Sequence, residues 1–218
     1  MNSTDPLIRM GHPPPPHTYK TIVPRWPRNL LKIILFFLIF ILSFHLPVYM
    51  PEIKYLFLGP QIRNRTIQEI QAILERQQTG LANVTKEELA EVIYEESIRY
   101  NHDPKFILAL IAIESSFQNW SVSERGAKGL MQIMPYVAQS LAQEIGIEWV
   151  GEEILFNPFV NIRLGIYYLS RMTNDFNNLG LALEAYNYGH TYIRDRIEKN
   201  KQISGHFYRR IVNVYQSL

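Results

Sequence analysis

The chain has 218 residues, enough for one domain with a hydrophobic core once an apolar N-terminal segment is set aside. Its formal charge is +2, but five of the 22 basic and one of the 20 acidic residues lie within residues 1–32. The remainder holds 17 basic against 19 acidic side chains, which argues against nucleic acid as the main ligand.

No cysteine is present, which excludes a disulfide framework, a thiolate metal site and a lipidated N-terminal cysteine. The sequence also lacks a phosphate-binding glycine loop and a cluster of His, Asp and Glu at metal-ligand spacing. We therefore expect neither a cofactor nor a metal.

The N-terminal region is predicted to anchor the chain in a membrane. Residues 1–29, with the proline run Pro13 to Pro16, are predicted to be a disordered tail. Residues 30–50 are predicted to be a transmembrane helix, because about 20 mostly apolar residues cross a bilayer. A cleaved signal peptide is the alternative, although the long run and the lack of a small-residue cleavage site count against it. Basic residues cluster closer before the span than after it, so the tail is expected in the cytoplasm and everything after Pro51 outside it.

Helix start signals recur through the rest of the chain. Thr66 and Thr85 each precede a glutamate by three residues, as in a capping box. Asp103 and Asn157 are each followed by proline, which is typical of an N-cap and a first helical residue. The predicted parts are a linker with a juxtamembrane helix, residues 51–84, and a folded domain, residues 85–218. The predicted helices are 66–78, 85–100, 103–117, 135–145, 159–176, 180–188, 190–200 and 205–217. Strand-like alternation is scarce, so the predicted fold is a compact all-α domain.

Glu114 ends an almost wholly apolar run that begins at Phe106. On a helix, Ile107, Leu110 and Glu114 lie on one face, so the carboxyl interrupts a stripe that otherwise packs inward. The last turn of a helix also carries partial negative charge. Burial and this dipole both disfavour the ionised carboxylate, so we expect a raised pKa and a group able to donate a proton near neutrality. From the pattern alone, a solvated glutamate at the domain edge is the alternative.

Four motifs then occur in order with compatible spacing. They are Glu114-Ser-Ser-Phe117, Gly126-Ala-Lys-Gly-Leu-Met-Gln132-Ile-Met-Pro135, Asn157-Pro158 with Asn161-Ile-Arg-Leu-Gly165 and Tyr168-Leu169, and Ala185-Tyr186-Asn187. Over about residues 85–197, the chain resembles the catalytic domain of soluble-type (SLT) lytic transglycosylases. The resemblance implies a goose-type lysozyme-like fold.

It also implies a reaction at a peptidoglycan strand in the bacterial cell envelope. Family members cleave the β-1,4 bond between N-acetylmuramic acid and N-acetylglucosamine without water and leave a 1,6-anhydro sugar. Carried to this chain, Glu114 would first protonate the glycosidic oxygen and then accept the proton of the muramoyl C6 hydroxyl.

The same resemblance assigns substrate-binding residues. Ser123 matches the serine that positions the muramoyl acetamido group, and Gln132 and Met134 match positions that line the groove. Tyr186 matches the tyrosine that hydrogen-bonds the catalytic acid, and Asn187 matches its neighbour in the site. Their alternatives are a packed tyrosine and an asparagine at a helix end.

The chain departs from the family pattern at several positions. Tyr188-Gly-His190 replaces small residues and proline, Glu184 replaces alanine, and Glu124 replaces a frequent proline. Glu184 and Glu124 are candidates for a second carboxylate, as a lysozyme-like muramidase would need. His190 is either a surface histidine or a groove contact.

The predicted partners are peptidoglycan glycan strands, the inner membrane through residues 30–50, and envelope or secretion machinery. A non-catalytic scaffold that binds the wall is a further alternative to the enzyme.

Overall fold

The computed structural model describes the backbone of residues 28–218 and the side chains of residues 29–41 and 59–218. Its helices, in chain order, are α1 Arg28–Glu75, α2 Lys86–Arg99, α3 Pro104–Ser115, α4 Pro135–Glu144, a 3-10 helix Glu152–Phe156, α5 Pro158–Phe176, α6 Leu179–Tyr188, α7 His190–Glu198 and α8 His206–Ser217. Over this range, β-structure is limited to two isolated bridges. The all-α prediction is therefore confirmed.

The chain divides into two units, residues 1–55 and residues 56–218. In the first unit, the large apolar side chains between Leu31 and Ile41 are exposed. Among the helices that the structure describes, none is both long enough and apolar enough to cross a membrane. The described side chains do not include residues 42–50, which are part of the predicted span. They also do not include residues 1–28 of the predicted tail.

The first helix differs from its prediction. An irregular linker was expected before a helix beginning at Thr66, but α1 is continuous from Arg28 to Glu75. Pro60 lies inside α1. A proline in a helix removes one backbone hydrogen bond and bends the helix, but it does not oblige the helix to end. Thr66 is consequently an interior residue and not an N-cap.

The other predicted helix starts are present. Thr85 and Glu88 form the complete capping box of α2. Asp103 accepts a hydrogen bond from the Lys105 amide at 2.8 Å and starts α3. The side chain of Asn157 accepts from the first free amides of α5. These caps satisfy amides that have no partner within a helix, which defines where each helix begins.

The core of the second unit is organised around α3, which packs against α2 and α8. Six consecutive residues of α3, from Phe106 to Ile111, are buried. A helix that is apolar on all sides is stable only when surrounded, so α3 occupies the interior. It ends at Ser115, two residues earlier than predicted. Ser116 and Phe117 have φ values of 52° and 63°, and this left-handed backbone stops the helix.

Candidate active site

Glu114 lies where the buried helix α3 leaves the core. It is the penultimate residue of α3, and its side chain is partly accessible to solvent. Among the described residues, its carboxyl has no hydrogen-bond or ion-pair partner that would stabilise the charged form. Burial raises the pKa of Glu114 to about 8 from the usual 4.5, while the positive charge of Arg210 opposes this shift. The Glu114 side chain is open to a cavity on one side and surrounded by protein on the others. Its carboxyl is therefore strongly desolvated although it is partly accessible.

A cavity of about 380 Å³ opens beside this carboxyl. Its lining residues are Glu114, Ser123, Glu124, Arg125, Ala127, Gln132, Met134, Tyr186 and Asn187. The fold thus brings all six sequence-predicted site residues to one cavity. Three further residues line it, and one of them, Glu124, supplies a second carboxylate.

The loop that carries Ser123 and Gln132 is held by one buried side chain, Asn161 of α5. Its carbonyl oxygen accepts from the Met131 amide at 2.7 Å. Its amide nitrogen donates to the carbonyl oxygens of Lys128 and Leu155 at 2.9 and 3.0 Å. A single asparagine therefore fixes both the cavity loop and the chain entering α5.

Two glycines of the quoted motifs allow this close approach. A Cβ atom on Gly129, whose φ is +82°, would lie 2.2 Å from the amide nitrogen of Asn161. A Cβ on Gly165 would lie 2.4 Å from the sulfur of Met131. Contacts under 3 Å are repulsive, so each position requires the absence of a side chain.

Ser123 has its hydroxyl oriented by the loop. The Ala127 amide donates to Ser123 Oγ at 3.0 Å, and the Ser123 amide donates to the Ala127 carbonyl at 2.9 Å. The hydroxyl hydrogen of Ser123 has no acceptor among the described residues, so it is available to donate into the cavity.

Gln132 has its side-chain amide fixed as a donor to the loop, whereas the Ser123 hydroxyl is fixed as an acceptor. Its nitrogen donates to the carbonyl oxygens of Ser121 and Gly129 at 3.1 and 2.8 Å. Two carbonyl partners require the NH2 group at that position. The side-chain oxygen accepts no hydrogen bond from another described residue and is open to a ligand. The backbone of Gln132 is left-handed, with φ of 50°, a conformation uncommon outside glycine.

Tyr186 is buried behind the cavity. Its hydroxyl donates to the carbonyl oxygen of Met131 at 2.7 Å, and its ring lies 5.1 Å from that of Tyr168. Burial, followed by the negative charge of Glu114, raises the pKa of Tyr186 well above its usual value. The resemblance implied a hydrogen bond from this tyrosine to the acid, but here the single phenolic proton is used by Met131. Among the described residues, no hydrogen bond joins Tyr186 to Glu114.

Met134 and Asn187 complete the predicted set from different elements. Met134 is the N-cap residue of α4, and Asn187 is the penultimate residue of α6. The side chain of Asn187 is exposed and makes no hydrogen bond to another described residue. Its amide is therefore available to a ligand.

Glu184 and His190 lie outside this cavity. Glu184 is 1% exposed and accepts hydrogen bonds from the Tyr208 amide at 3.1 Å and from Ser204 Oγ at 3.4 Å. Its carboxylate is thus committed to the start of α8, and it is a wrong candidate for the second catalytic carboxylate. His190 lies 3.3 Å from a carboxylate oxygen of Asp175, as the surface interpretation of this histidine expects.

Sequence reasoning did not find Arg210. It lies on α8, and its charge acts on Glu114 only because α8 packs against α3. No local pattern near residue 210 marks it, because its relation to the acid arises entirely from tertiary packing.

The raised pKa of Glu114 makes stability depend on pH. Below pH 4.5 both folded and unfolded chains hold the proton; between pH 4.5 and 8 only the folded chain does, so stability falls as pH rises through this window. We expect Glu114→Gln to be more stable than wild type at pH 8 by about 2 kcal/mol, less than the full linkage value because the group is partly accessible. Urea unfolding at pH 4.5 and pH 8 measures this difference.

The matched control for this measurement is Glu124→Gln, which makes the same change in an exposed carboxylate on the same cavity. The difference in free energy of unfolding between Glu124→Gln and wild type should be nearly the same at both pH values. A stability gain for Glu114→Gln that does not grow between pH 4.5 and 8 would contradict the burial of an uncompensated carboxyl.

Comparison with known proteins gives a match to one family. Residues 91–206, slightly more than half of the chain, match the transglycosylase SLT domain. The matched range includes every residue of the cavity.

This chain spans only about a fifth to a third of the length of the similar proteins described next. Membrane-bound lytic murein transglycosylase C of Photorhabdus laumondii is 37% identical over 39% of this chain and 24% of its own length. A transglycosylase of Enterobacteria phage PRD1 is 33% identical over 45% of this chain and 34% of its own length. Among solved structures, an inactive mutant of the lytic transglycosylase Slt from Pseudomonas aeruginosa is 30% identical, covers 57% of this chain and 21% of that one, and has a TM-score of 0.48.

Proposed function

The chain belongs to the transglycosylase SLT domain family, and from this premise we propose that it is a peptidoglycan lytic transglycosylase. It would cleave the β-1,4 bond between N-acetylmuramic acid and N-acetylglucosamine without water and leave 1,6-anhydromuramoyl ends. The observation that carries the proposal is Glu114, a desolvated carboxyl with a pKa of about 8 that faces the shared cavity.

The first step is a proton transfer from Glu114 to the glycosidic oxygen. At neutral pH a group with a pKa of about 8 is mostly protonated, so it is ready to act as a general acid. The bond between the muramoyl anomeric carbon and the glycosidic oxygen breaks, and N-acetylglucosamine leaves with the proton. The positive charge of Arg210 favours the carboxylate that this step creates.

The second step returns the proton. The Glu114 carboxylate takes it from the muramoyl C6 hydroxyl while O6 bonds to the anomeric carbon, which closes the 1,6-anhydro ring. One carboxyl therefore serves both steps and ends in its starting state. A two-carboxylate glycosidase instead needs a second acid at a set distance to deliver water or act as nucleophile.

Polar groups around the cavity suit a saccharide. The free hydroxyl hydrogen of Ser123 would donate to the acetamido carbonyl, and the free side-chain oxygen of Gln132 would accept from a sugar hydroxyl or amide. Asn187 offers a donor and an acceptor at the exposed edge. Tyr186, by donating to the Met131 carbonyl, would hold the cavity loop beside Glu114.

Mass spectrometry of products tests the proposal. Purified peptidoglycan is digested with the full chain in water labelled with heavy oxygen. We expect 1,6-anhydro ends that carry no label, because no water enters the bond. Labelled reducing ends would instead identify a hydrolase, and the absence of released fragments would favour a wall-binding scaffold.

Glu124 favours one alternative, a lysozyme-like muramidase. Its exposed carboxylate lines the same cavity as Glu114 and is the group there that could activate water. The labelled-water experiment separates this reaction from the first, since hydrolysis incorporates one oxygen of water at each new reducing end.

The domain organisation belongs to the proposal as well. We propose that residues 30–50 anchor the chain in the inner membrane, with residues 1–29 in the cytoplasm, residues 51–84 as the connection and residues 85–218 as the catalytic domain beyond the membrane. The apolar composition of the span and the basic residues before it support this arrangement. Release of the chain from membranes by alkaline washing would contradict it.

A further inference from the structure

A second cavity, of about 220 Å³, lies on the neighbouring side of the C-terminal end of α6. Tyr188 lines it, whereas Asn187, the preceding residue, lines the cavity of Glu114. Successive residues of a helix point about 100° apart, and their Cα atoms are about 3.8 Å apart. The two cavities therefore lie against adjacent residues of α6, on faces of the helix about 100° apart.

Two exposed aromatic rings form its rim. Tyr188 and Tyr192 are 46% and 49% exposed, and their ring centroids lie 5.9 Å apart. Arg196 holds Tyr192 in place: its guanidinium lies 5.6 Å from the ring centroid and donates to the phenolic oxygen at 3.2 Å. The rings thus form a supported apolar surface rather than two free side chains.

The charged groups of this cavity already have partners. Arg196 also donates to the backbone carbonyl of Gln202 at 3.0 Å. Glu184, at the buried end, accepts from the Tyr208 amide at 3.1 Å. The ring faces remain for a ligand, as do the Tyr188 hydroxyl and the side-chain amide of Gln202, which make no hydrogen bond to another described residue. This combination suits a neutral ligand better than an ionic peptide.

An N-acetylated sugar has matching chemistry. The C–H groups on the face of a pyranose ring pack against an aromatic ring, and its hydroxyl and acetamido groups point outward to donors and acceptors at the edge. We propose that Tyr188, Tyr192 and the cavity they border bind a neutral N-acetylated sugar unit of the glycan strand, outside the cleavage position. This inference rests on the proposed function, because it assumes that the strand at Glu114 continues along the protein.

Calorimetry tests the subsite with an uncut, peptide-free ligand. The full chain carrying Glu114→Gln is titrated with a β-1,4-linked N-acetylglucosamine hexamer. Adding Tyr188→Ala or Tyr192→Ala should weaken hexamer binding by about 3- to 10-fold, the order expected for loss of one aromatic contact. Tyr188→Phe keeps the ring and should keep the affinity.

Val150→Ala serves as a control, because it truncates an exposed apolar side chain that lines neither cavity. It should bind the hexamer like the parent. Parent affinity in both tyrosine-to-alanine variants, or no hexamer binding by the parent itself, would overturn the subsite. Failure of the proposed function would be seen in a different experiment, as the absence of anhydro products from the wild-type chain. If that happened, weaker hexamer binding by Tyr188→Ala would still support the subsite.

Discussion

Replacing Glu114 with glutamine is expected to lower the rate of peptidoglycan cleavage by about a hundred- to ten-thousand-fold, the range that a positioned general acid contributes. Glutamine has nearly the same shape but cannot give up a proton to the glycosidic oxygen. The rate of release of 1,6-anhydro fragments, followed by mass spectrometry, measures the effect. Because Glu114→Gln should be at least as stable as wild type at pH 8, unfolding would not explain the loss.

The companion variant is Glu124→Gln, the same chemical change in the other carboxylate of the cavity. If Glu124 activated water, this variant would lose activity and the wild-type chain would produce reducing ends. Continued formation of anhydro ends by Glu124→Gln, with their loss in Glu114→Gln, would assign the proton transfers to Glu114. Unchanged cleavage by Glu114→Gln would remove Glu114 from the mechanism.

The largest effect on stability is expected from Asn161→Ala. The change leaves the Met131 amide and the Leu155 carbonyl without the partner that Asn161 supplies, whereas the Lys128 carbonyl keeps its bond from the Ile133 amide at 3.1 Å. Each unsatisfied buried group costs about 1–3 kcal/mol, so we expect the free energy of unfolding to fall by about 2–6 kcal/mol. Urea unfolding measures it, and activity should fall as well because the cavity loop loses its attachment.

Asn157→Ala provides the control, since it removes the same side chain from the same helix. Asn157 is an exposed N-cap, and its loss should cost about 1 kcal/mol with little effect on the cavity. Equal costs for the two variants would show that the contacts of Asn161 do not hold the loop.

Local patterns explain why much of the fold could be predicted. An N-cap acts on amides two or three residues away, so Thr85, Asp103 and Asn157 could be recognised from adjacent letters. The apolar run before Glu114 likewise placed that carboxyl at the end of a buried helix. The same residues can also occur inside a helix, and the prediction then fails. Thr66 was predicted to start a helix and Pro60 to lie in a linker, but both lie inside α1.

The amino-acid sequence by itself determined the all-α class, the acid at the end of α3 and the motif residues that line one cavity. Only the tertiary structure decided what those groups touch: the bond from Tyr186 to Met131, the burial of Glu184 against α8 and the influence of Arg210 on Glu114. The physical reason is range. Helix periodicity and capping act within about four residues, whereas hydrogen bonds and desolvation between distant segments depend on how the helices pack.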